Sequence, residues 1–353
     1  MATIKEIADI AGVSRGTVDR VLNKRGNVNP KTAEKIMEIV NALDYKPNKA
    51  GLVLAAQKKN LRLGVILFGE GNPFFDEVIE GIHQKEEELA CYNCSVIVER
   101  VSIEVSRQLA AIDRLLEQGV NGIAISPTND ARLAARIDEL FEMGIPVVSL
   151  NTDIPGCKRI AFVGSNYYHS GETAAGLMRL MSKGPLINVG IITGSNDVLC
   201  HSERVAGFRH ILKNCKNVSI LETLTNEDDD FISYDRTTQL LTAHPEVNAL
   251  FFAAGGVYGG CRAVLSLGRE KDMTIITFDR VATTKEMIQK GVISATICQQ
   301  PHKQGSKPLD ILFTYLTTGE LPKNEMEYTA VDIRIKENIE WLQIKKPCGL
   351  LRA

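Results

Sequence analysis

The sequence predicts an α/β protein in which a small helical N-terminal part precedes a larger body of parallel sheets flanked by helices. Three short amphipathic segments fill the first 43 residues, and from residue 61 onward short apolar runs alternate with amphipathic stretches of helix length. Such alternation is typical of parallel sheets with helices on both faces. A chain of 353 residues is also too long for one ordinary domain.

The first two segments have the pattern of a helix-turn-helix. Thr3 and Glu6 have capping-box spacing, Gly12 is suited to end the first helix, and Ser14 can cap the second only two residues later. A third helix is predicted to begin at Asn29, which precedes a proline. The three apolar faces are predicted to form one small core from Ile4, Ile7, Ala8, Ala11, Val18, Val21, Leu22, Ala33, Ile36, Val40 and Leu43.

The outward face of the second helix indicates contact with DNA. Gly16, Arg20 and Asn23 lie opposite the apolar stripe, and Arg15 projects from the first turn. Arginine makes bidentate contacts with guanine, and a glycine lets the backbone approach the groove. The first 60 residues carry a charge balance of +5 and the remainder −7, which favours a polyanion-binding N-terminal end. The alternative is a three-helix bundle that serves only folding or assembly.

The N-terminal stretch "TIKEIADIAGVSRGTVDRVLNKRGNVNPKTAEKIMEIVNALDYKPNKAGLVLA" resembles the DNA-binding head of the lactose-repressor (LacI/GalR) family. The resemblance implies that Arg15, Gly16 and Arg20 read bases. It also implies that the backbone or phosphates of DNA are contacted by Ser14, Thr17, Asn23 and Asn29.

Asp19 departs from the family, which usually has serine at this position. We hypothesise that Asp19 orients Arg15, four residues earlier, or accepts a hydrogen bond from a cytosine amino group. The alternative is a tolerated loss of one serine–phosphate contact.

Residues 48–60 are too short for a stable isolated helix, and Gly51 weakens helix formation further. The resemblance implies a hinge helix that pairs with a second copy in the minor groove. Leu54, followed by Ala55, would then wedge into the central base step. A plain linker is the alternative.

The body contains predicted strands at 94–101, 121–126, 145–150, 187–192, 248–253 and 273–278, and helix-length segments at 75–90, 130–143, 201–214 and 301–318. Ligands of such folds bind at the carboxyl ends of the strands. The side chains predicted there can hold hydroxyl groups or cover a sugar ring, which indicates a polyol pocket. They are Asn72, Phe74, Phe75, Ser126, Asn151, Asp279 and Gln299, although ordinary turn chemistry is the alternative for each residue taken singly.

Residues 61–335 also resemble the periplasmic sugar-binding protein fold, most like the ribose type. Segments such as "NPFFDEVIEGIHQKEEEL", "SERVAGF", "TFD" and "TICQQP" carry the resemblance. It implies a pocket formed by Asn72, Phe74, Phe75, Arg204, Asp279 and Gln299. Asn151-Thr152 replaces Asp-Arg of the ribose type and Gly255 replaces Asn, so ribose itself is not expected, and Tyr258 or His201 could fill part of the missing contact.

Together these observations predict a helix-turn-helix domain over 1–47, a hinge over 48–60 and a ligand-binding and dimerisation domain over 61–353. The N-lobe would span about 61–164 and 298–328, and the C-lobe about 165–297 and 329–345.

Several kinds of chemistry find no support in the sequence. No GxGxxG or GxxxxGK[ST] motif occurs, so no nucleotide cofactor is expected. Cys91 and Cys94 have CxxC spacing but no further ligands, so no metal is expected. No nucleophile or paired carboxylates accompany Asp279 and Arg204, which argues against an enzyme. Scattered cysteines and the lack of an apolar leader or span predict a cytoplasmic protein.

The sequence therefore predicts a transcriptional regulator, a repressor, that binds a near-palindromic operator as a homodimer and responds to a small-molecule effector, a sugar. One alternative keeps the DNA function with a purine, another metabolite or a protein co-regulator as effector. The others are an α/β enzyme with an accidental basic head and a solute-binding component of transport.

Overall fold

The computed structural model describes residues 3–22, 28–43, 60–69 and 71–340. The chain divides into two compact units, Met1–Lys58 and Lys59–Ala353. The predictions made for Asn23, Leu54 and Ala55 lie outside the described residues.

The first unit contains three short helices, α1 (Ile4–Ala11), α2 (Arg15–Leu22) and α3 (Pro30–Ala42). Their predicted beginnings are confirmed. The Thr3 and Glu6 side chains form a complete capping box, Gly12 ends α1 with a φ of 72°, and the Thr17 N–H donates to Ser14 Oγ over 3.1 Å. The Lys31 N–H donates to the Asn29 side chain at the start of α3. Each boundary is thus set by local hydrogen bonds.

The core of the first unit is small and apolar. Its buried members are Ile7, Ala8, Ala11, Val18, Ile36 and Val40. The prediction that Leu43 joins this core is wrong, because α3 ends at Ala42 and the Leu43 side chain is 38% exposed. Ile39 packs against the core from α3 instead.

The first sheet of the second unit has the order β11-β5-β4-β3-β1-β2, and all its paired strands run parallel. With the helices that flank it, this sheet forms what we call the first lobe. Its strands are β1 (Arg62–Leu67), β2 (Ser95–Arg100), β3 (Gly122–Ile125), β4 (Val147–Leu150), β5 (Ala161–Gly164) and β11 (Met326–Tyr328), and its helices are α4 (Phe74–Ala90), α5 (Val105–Glu117), α6 (Ala131–Glu142) and α12 (Pro301–Thr318).

The second sheet has the order β12-β10-β9-β8-β6-β7 and is parallel except at β12. This sheet and its helices form the second lobe. Its strands are β6 (Ile187–Thr193), β7 (Val218–Thr225), β8 (Ala249–Phe252), β9 (Thr274–Phe278), β10 (Ala295–Cys298) and β12 (Asp332–Arg334), and its helices are α7 (Tyr167–Met181), α8 (Leu199–Leu212), α9 (Asp230–Ala243), α10 (Val257–Ser266) and α11 (Ala282–Gln289).

The chain passes between the two lobes three times, after β5, after β10 and after β11. Each lobe has its own apolar core, with Ile66, Ile112, Ile123 and Ile137 among the buried residues of the first. Stacked Phe208 and Phe251 rings, 4.2 Å apart, lie in the second.

Glycines allow helices α7 and α8 to touch backbone to backbone. A Cβ on Gly171 would lie 2.0 Å from the Arg204 carbonyl oxygen, and one on Gly207 would lie 1.9 Å from the Tyr168 carbonyl oxygen. Any larger residue must push the helices apart. Because α8 carries Arg204, this contact also fixes the position of a predicted site residue.

Within the described residues, the longest helices are too short or too polar to cross a lipid bilayer. The same residues contain no group of three His, Cys, Asp or Glu side chains arranged to hold a metal ion.

Candidate functional site

A cavity of about 1030 Å³ lies in the second unit, and both lobes contribute to its wall. Its polar lining comes mainly from loops at the carboxyl ends of strands: Asn72 follows β1, Asn151 follows β4, Asp228 follows β7, Asp279 follows β9 and Gln299 follows β10. This is where parallel sheets of this kind bind ligands.

Among the described residues, hydrogen bonds that start from backbone N–H groups join the lobes beside the cavity. The Asn129 N–H donates to the Asp197 carbonyl oxygen over 2.9 Å, and the Cys200 N–H donates to Thr152 Oγ1 over 3.4 Å. Asn129 and Thr152 belong to the first lobe, whereas Asp197 and Cys200 belong to the second. The described conformation therefore holds the lobes in contact.

Aromatic rings form one part of the cavity wall. Phe74 and Phe75 begin α4 and pack edge to face, with ring centroids 5.3 Å apart, and Phe75 packs against Phe68 in the same way at 5.4 Å. Phe278 lines the cavity from the second lobe. Flat apolar surfaces of this kind can cover the C–H face of a sugar ring.

Arg204 is only 3% exposed and is held in a fixed orientation. Its Nη1 donates to the Ala253 carbonyl oxygen over 2.8 Å, and its guanidinium carbon lies 3.8 Å from the centre of the Phe278 ring and 5.0 Å from that of Tyr167. Among the described residues its Nε has no hydrogen-bond partner. A buried donor without a partner is costly, so this guanidinium is suited to receive an acceptor atom.

A chain of polar side chains connects the two lobes through the passage between β10 and α12. Asn151 Nδ2 donates to Gln304 Oε1 over 3.2 Å, and Gln304 Nε2 donates to the Gln299 carbonyl oxygen over 2.8 Å. Gln299 Nε2 in turn donates to Asp279 Oδ1 over 2.9 Å. Three predicted ligand-binding residues, Asn151, Gln299 and Asp279, thus belong to one network.

Burial raises the pKa of the Asp279 carboxyl to about 6, although Arg204 and the hydrogen bond from Gln299 both favour its ionised form. Its backbone has a φ of 66°, in the left-handed region. An aspartate held in this way is ionised at neutral pH and accepts hydrogen bonds from hydroxyl groups.

A second carboxylate, Asp228, lies in the cavity wall beside His201. Asp228 Oδ1 accepts a hydrogen bond of 2.5 Å from the Gly255 N–H, and Oδ2 is 3.8 Å from His201 Nε2. Burial lowers the pKa of His201, but Asp228 and Cys200 raise it more, so the net result is a pKa of about 9. The imidazole is therefore a cation at neutral pH, paired with the Asp228 carboxylate.

The structure brings nine of the ten predicted ligand-binding residues to this cavity, namely Asn72, Phe74, Phe75, Asn151, Arg204, Gly255, Tyr258, Asp279 and Gln299. It does not bring Ser126 there. The Ser126 N–H continues the sheet by donating to the Ile66 carbonyl oxygen, and the residue is fully buried and does not line the cavity. A residue that continues a strand in register keeps its side chain within the packed layer.

Sequence reasoning missed Asp228 and named His201 only as an alternative. The stretch "TNEDDD" places polar residues after β7, which is the signal used at the other strands. Because β7 is an edge strand whose sequence, "VSILETLT", is not a continuous apolar run, the pattern of apolar runs does not indicate a strand end here.

The first unit presents the predicted DNA-contacting side chains on one helix. Arg15, Gly16, Asp19 and Arg20 are exposed on α2. Arg20 Nε donates to the Gly16 carbonyl oxygen over 3.1 Å, which holds the guanidinium along the helix surface. The terminal nitrogens of such a guanidinium have the geometry that reads guanine.

The residues predicted to contact the DNA backbone lie at helix beginnings. Ser14 and Thr17 hydroxyls are 2.9 Å apart at the start of α2, and Asn29 caps α3. Exposed N-termini of helices favour phosphate. The head and cavity together define a DNA-binding regulator with a ligand-binding body.

Comparison with known proteins identifies the family of this regulator. Residues 3–48 match the model of bacterial regulatory proteins of the lacI family, and residues 63–321 match that of the periplasmic binding protein domain. The chain belongs to the lacI family of bacterial regulatory proteins, with a periplasmic binding protein domain as its body.

Two relatives match nearly the whole chain. Catabolite control protein A of Priestia megaterium is 26% identical, over 98% of this chain and 99% of its own length. The ribose operon repressor of Bacillus subtilis is 25% identical, over 95% and 96% respectively. The ribose import binding protein of Bacillus subtilis is 28% identical but covers 74% of this chain, and 81% of its own length is matched.

Two solved structures of binding proteins each cover about four fifths of the chain. A solute-binding protein from Burkholderia graminis in complex with D-arabinose superposes with a TM-score of 0.74 at 23% identity, covering 79% of this chain and 96% of that protein. The glucose-galactose binding protein GanP of Geobacillus stearothermophilus has a TM-score of 0.73 at 25% identity, covering 80% of this chain and 99% of that protein. The predicted two-lobed fold is therefore confirmed.

Proposed function

We propose that this regulator is a repressor that binds a near-palindromic operator as a homodimer in the cytoplasm and is controlled by a neutral sugar. The domain boundaries in this proposal are those predicted from the sequence, with a head over 1–47, a hinge over 48–60 and a body over 61–353. A dimer doubles the few base pairs that one recognition helix can read.

The observation that carries the sugar assignment is the combination of groups in the cavity. Phenylalanine rings provide apolar faces, and Asp279, Asn151, Gln299 and Arg204 offer directed donors and acceptors around one space. A purine would use the aromatic faces as well, but it offers far fewer hydroxyl donors to carboxylates. The names of several relatives, among them three ribose operon repressors and a sucrose operon repressor, support a sugar as effector.

The cavity also supports a regulatory mechanism, because both lobes line it. A ligand that contacts Asn151 in the first lobe and Asp279 in the second favours one relative arrangement of the lobes over others. We propose that this bias reaches the DNA-binding head through the hinge. A coupling of about 1 to 3 kcal/mol changes operator affinity by about 5- to 150-fold.

The testing experiment is selection of DNA sequences from a random library by the full-length protein. The selection is done without effector and with each of D-ribose, D-arabinose, D-allose, D-glucose, adenine and guanine. We expect a two-fold symmetric site whose recovery changes with at least one sugar. Arg20→Ala should abolish selection while the circular dichroism of the protein is unchanged.

Three outcomes contradict the proposal. Failure of the wild type to select any sequence favours an α/β enzyme with an accidental basic head. An asymmetric site contradicts the homodimer. A response to purines alone replaces the sugar by a purine and keeps the DNA function.

A further inference from the structure

The loop after β7 is shaped so that Asp228 enters the ligand cavity. Glu227 and Asp228 have φ values of 54° and 60°, in the left-handed region that residues other than glycine rarely adopt. Buried Asn226 holds this turn, since its Oδ1 accepts from the Asp228 N–H and its Nδ2 donates to the Gly255 carbonyl oxygen over 2.8 Å. The hydrogen bonds of Asn226 thus stabilise the strained backbone conformation of Glu227 and Asp228.

Two glycines from neighbouring strand ends leave room for the Asp228 carboxylate. A Cβ on Gly255 would lie 2.8 Å from Asp228 Oδ1, and a Cβ on Gly194 would lie 2.9 Å from Oδ2 and 2.5 Å from His201 Nδ1. Real Cβ atoms do not approach other atoms this closely, so a side chain at either position would displace the carboxylate or the imidazole. The Asp228 carboxylate therefore occupies the space that a side chain at position 255 would need.

His201 fixes the carboxylate from its other side. The imidazole is 6% exposed, its Nδ1 lies 3.3 Å from the Ser195 carbonyl oxygen, and its Nε2 faces Asp228 Oδ2 at 3.8 Å. With Nδ1 donating to a carbonyl, the second ring nitrogen is directed at the carboxylate. A distance of 3.8 Å is an ion pair rather than a full hydrogen bond, so Oδ2 keeps capacity to accept from a ligand.

The charges around the cavity select the kind of ligand. Asp228 is paired with His201, and Asp279 lies close enough to Arg204 for the guanidinium to favour its ionised form. Asp228 and Asp279 thus each lie near one cation of the protein, whereas Asp197, Glu227, Asp229 and Asp230 add negative charge to the cavity wall, which disfavours an anionic ligand. Ionised carboxylates accept hydrogen bonds from hydroxyl groups, and they repel phosphate because both groups are anionic.

We propose that Asp228 is a specificity-determining residue of the cavity, which accepts a hydrogen bond from a hydroxyl of a neutral sugar, and that His201 is its positioning residue. This inference rests on the proposed function, because it names the ligand class and one contact of the same cavity. The hydrogen bond to Asp228 would take the place of a side-chain contact at position 255, where this chain has glycine and the ribose type has asparagine.

The test is isothermal titration calorimetry on the full-length protein. The probes are D-ribose, D-arabinose, D-allose and D-glucose, with D-ribose 5-phosphate and D-glucosamine as charged counterparts. Asp228→Asn keeps an acceptor for the Gly255 N–H and the shape of the side chain but removes the charge. The matched control is Asp235→Asn, the same change on an exposed residue of α9 outside the cavity.

We expect a neutral sugar to bind the wild type and Asp235→Asn equally, and to bind Asp228→Asn about 10- to 100-fold more weakly, as for loss of a hydrogen bond to a charged group. Asp228→Asn also removes the partner of the buried His201 imidazole, so circular dichroism should first establish that the variant is folded at the temperature of the titration. D-ribose 5-phosphate should bind at least about tenfold more weakly than D-ribose.

The positioning role of His201 has its own readout in the pH profile of binding. The titratable groups that face His201 are Asp228 from the loop after β7 and Cys200 and Arg204 from its own helix. Wild-type affinity should fall as the pH rises through about 9, where the imidazole loses its proton. His201→Gln should bind more weakly at pH 7 and lack this fall.

The outcomes separate the two proposals. If the wild type binds a neutral sugar and Asp228→Asn binds it as tightly, Asp228 only shapes the loop and the inference fails while the proposed function stands. If D-glucosamine or the phosphate is the tightest ligand, the assignment of a neutral ligand is wrong. If no sugar binds the wild type, the proposed function fails and the inference with it.

Discussion

The Asp279 carboxyl should make the stability of the protein depend on pH in a way that an asparagine at the same position removes. Its pKa is about 6 in the folded protein, against an ordinary value of 3.8, and burial is the main cause. Between these two pH values the folded state retains a proton that the unfolded chain has already lost. Stability contributed by this group is therefore present below pH 3.8 and declines as the pH rises through 6.

The size of the effect follows from the two pKa values. A difference of about two pH units corresponds to about 3 kcal/mol in the free energy of unfolding. The carboxyl lines an open cavity where solvent screens part of the cost, so we expect about 2 kcal/mol. Asparagine is a suitable replacement because it tolerates the φ of 66° and still accepts a hydrogen bond from Gln299.

The assay is urea unfolding of the full chain at pH 4 and at pH 7, followed by circular dichroism, for wild type and Asp279→Asn. The free energy of unfolding of the variant minus that of the wild type should be about 2 kcal/mol larger at pH 7 than at pH 4, because only the wild type loses stability over this range. Asp235→Asn, on an exposed helix face, should show no such change. Parallel pH profiles for wild type and Asp279→Asn would refute the argument that burial dominates the environment of this carboxyl.

Two further predictions concern the helix contact and the DNA-reading helix. Gly207→Ala should lower the thermal midpoint by several degrees and weaken sugar binding measured by calorimetry, because its Cβ would meet the Tyr168 carbonyl oxygen at 1.9 Å. The control is Gly176→Ala in α7, which has open space around its Cβ and should be neutral or slightly stabilising. Equal behaviour of the two variants would contradict the packing argument. Asp19→Ser should strengthen binding to unrelated DNA more than to the selected operator in fluorescence anisotropy; uniform strengthening on all sequences would mean that Asp19 merely lacks a phosphate contact.

The head could be predicted almost completely from sequence because its boundaries are local. The capping box, the left-handed Gly12, the Ser14 cap and the Asn29 cap each involve residues within four positions of one another. Leu43 was misassigned because helical periodicity was extended one residue past the end of α3, where the backbone leaves the helix. A repeat predicts which side chains share a face only as far as the helix lasts.

The cavity could be predicted less completely because its residues come from many strand ends. The buried strands of the sheet centres are continuous apolar runs, so the residues that follow them were identified, Ser126 excepted. Edge strand β7 is only half-buried, and the carboxylate that follows it was missed. The replacement of asparagine by Gly255 was visible in the sequence, but the side chain that fills the space, Asp228, is 27 residues away along the chain.

The polar network that includes Asp279 also bears on how a ligand could change the arrangement of the lobes. Gln299 donates to Asp279 through Nε2, and Gln304, on the other side of the passage between β10 and α12, donates to Gln299 and accepts from Asn151. A ligand hydroxyl that donates to Asp279 competes with Gln299 for the same two oxygens. The Gln299 amide can shift only if its bonds to Gln304 adjust, and that adjustment reaches a segment that joins the lobes. Because a ligand changes an equilibrium only by interacting differently with its two states, a carboxylate already engaged by the inter-lobe network is a better place to bind an effector than one facing solvent alone.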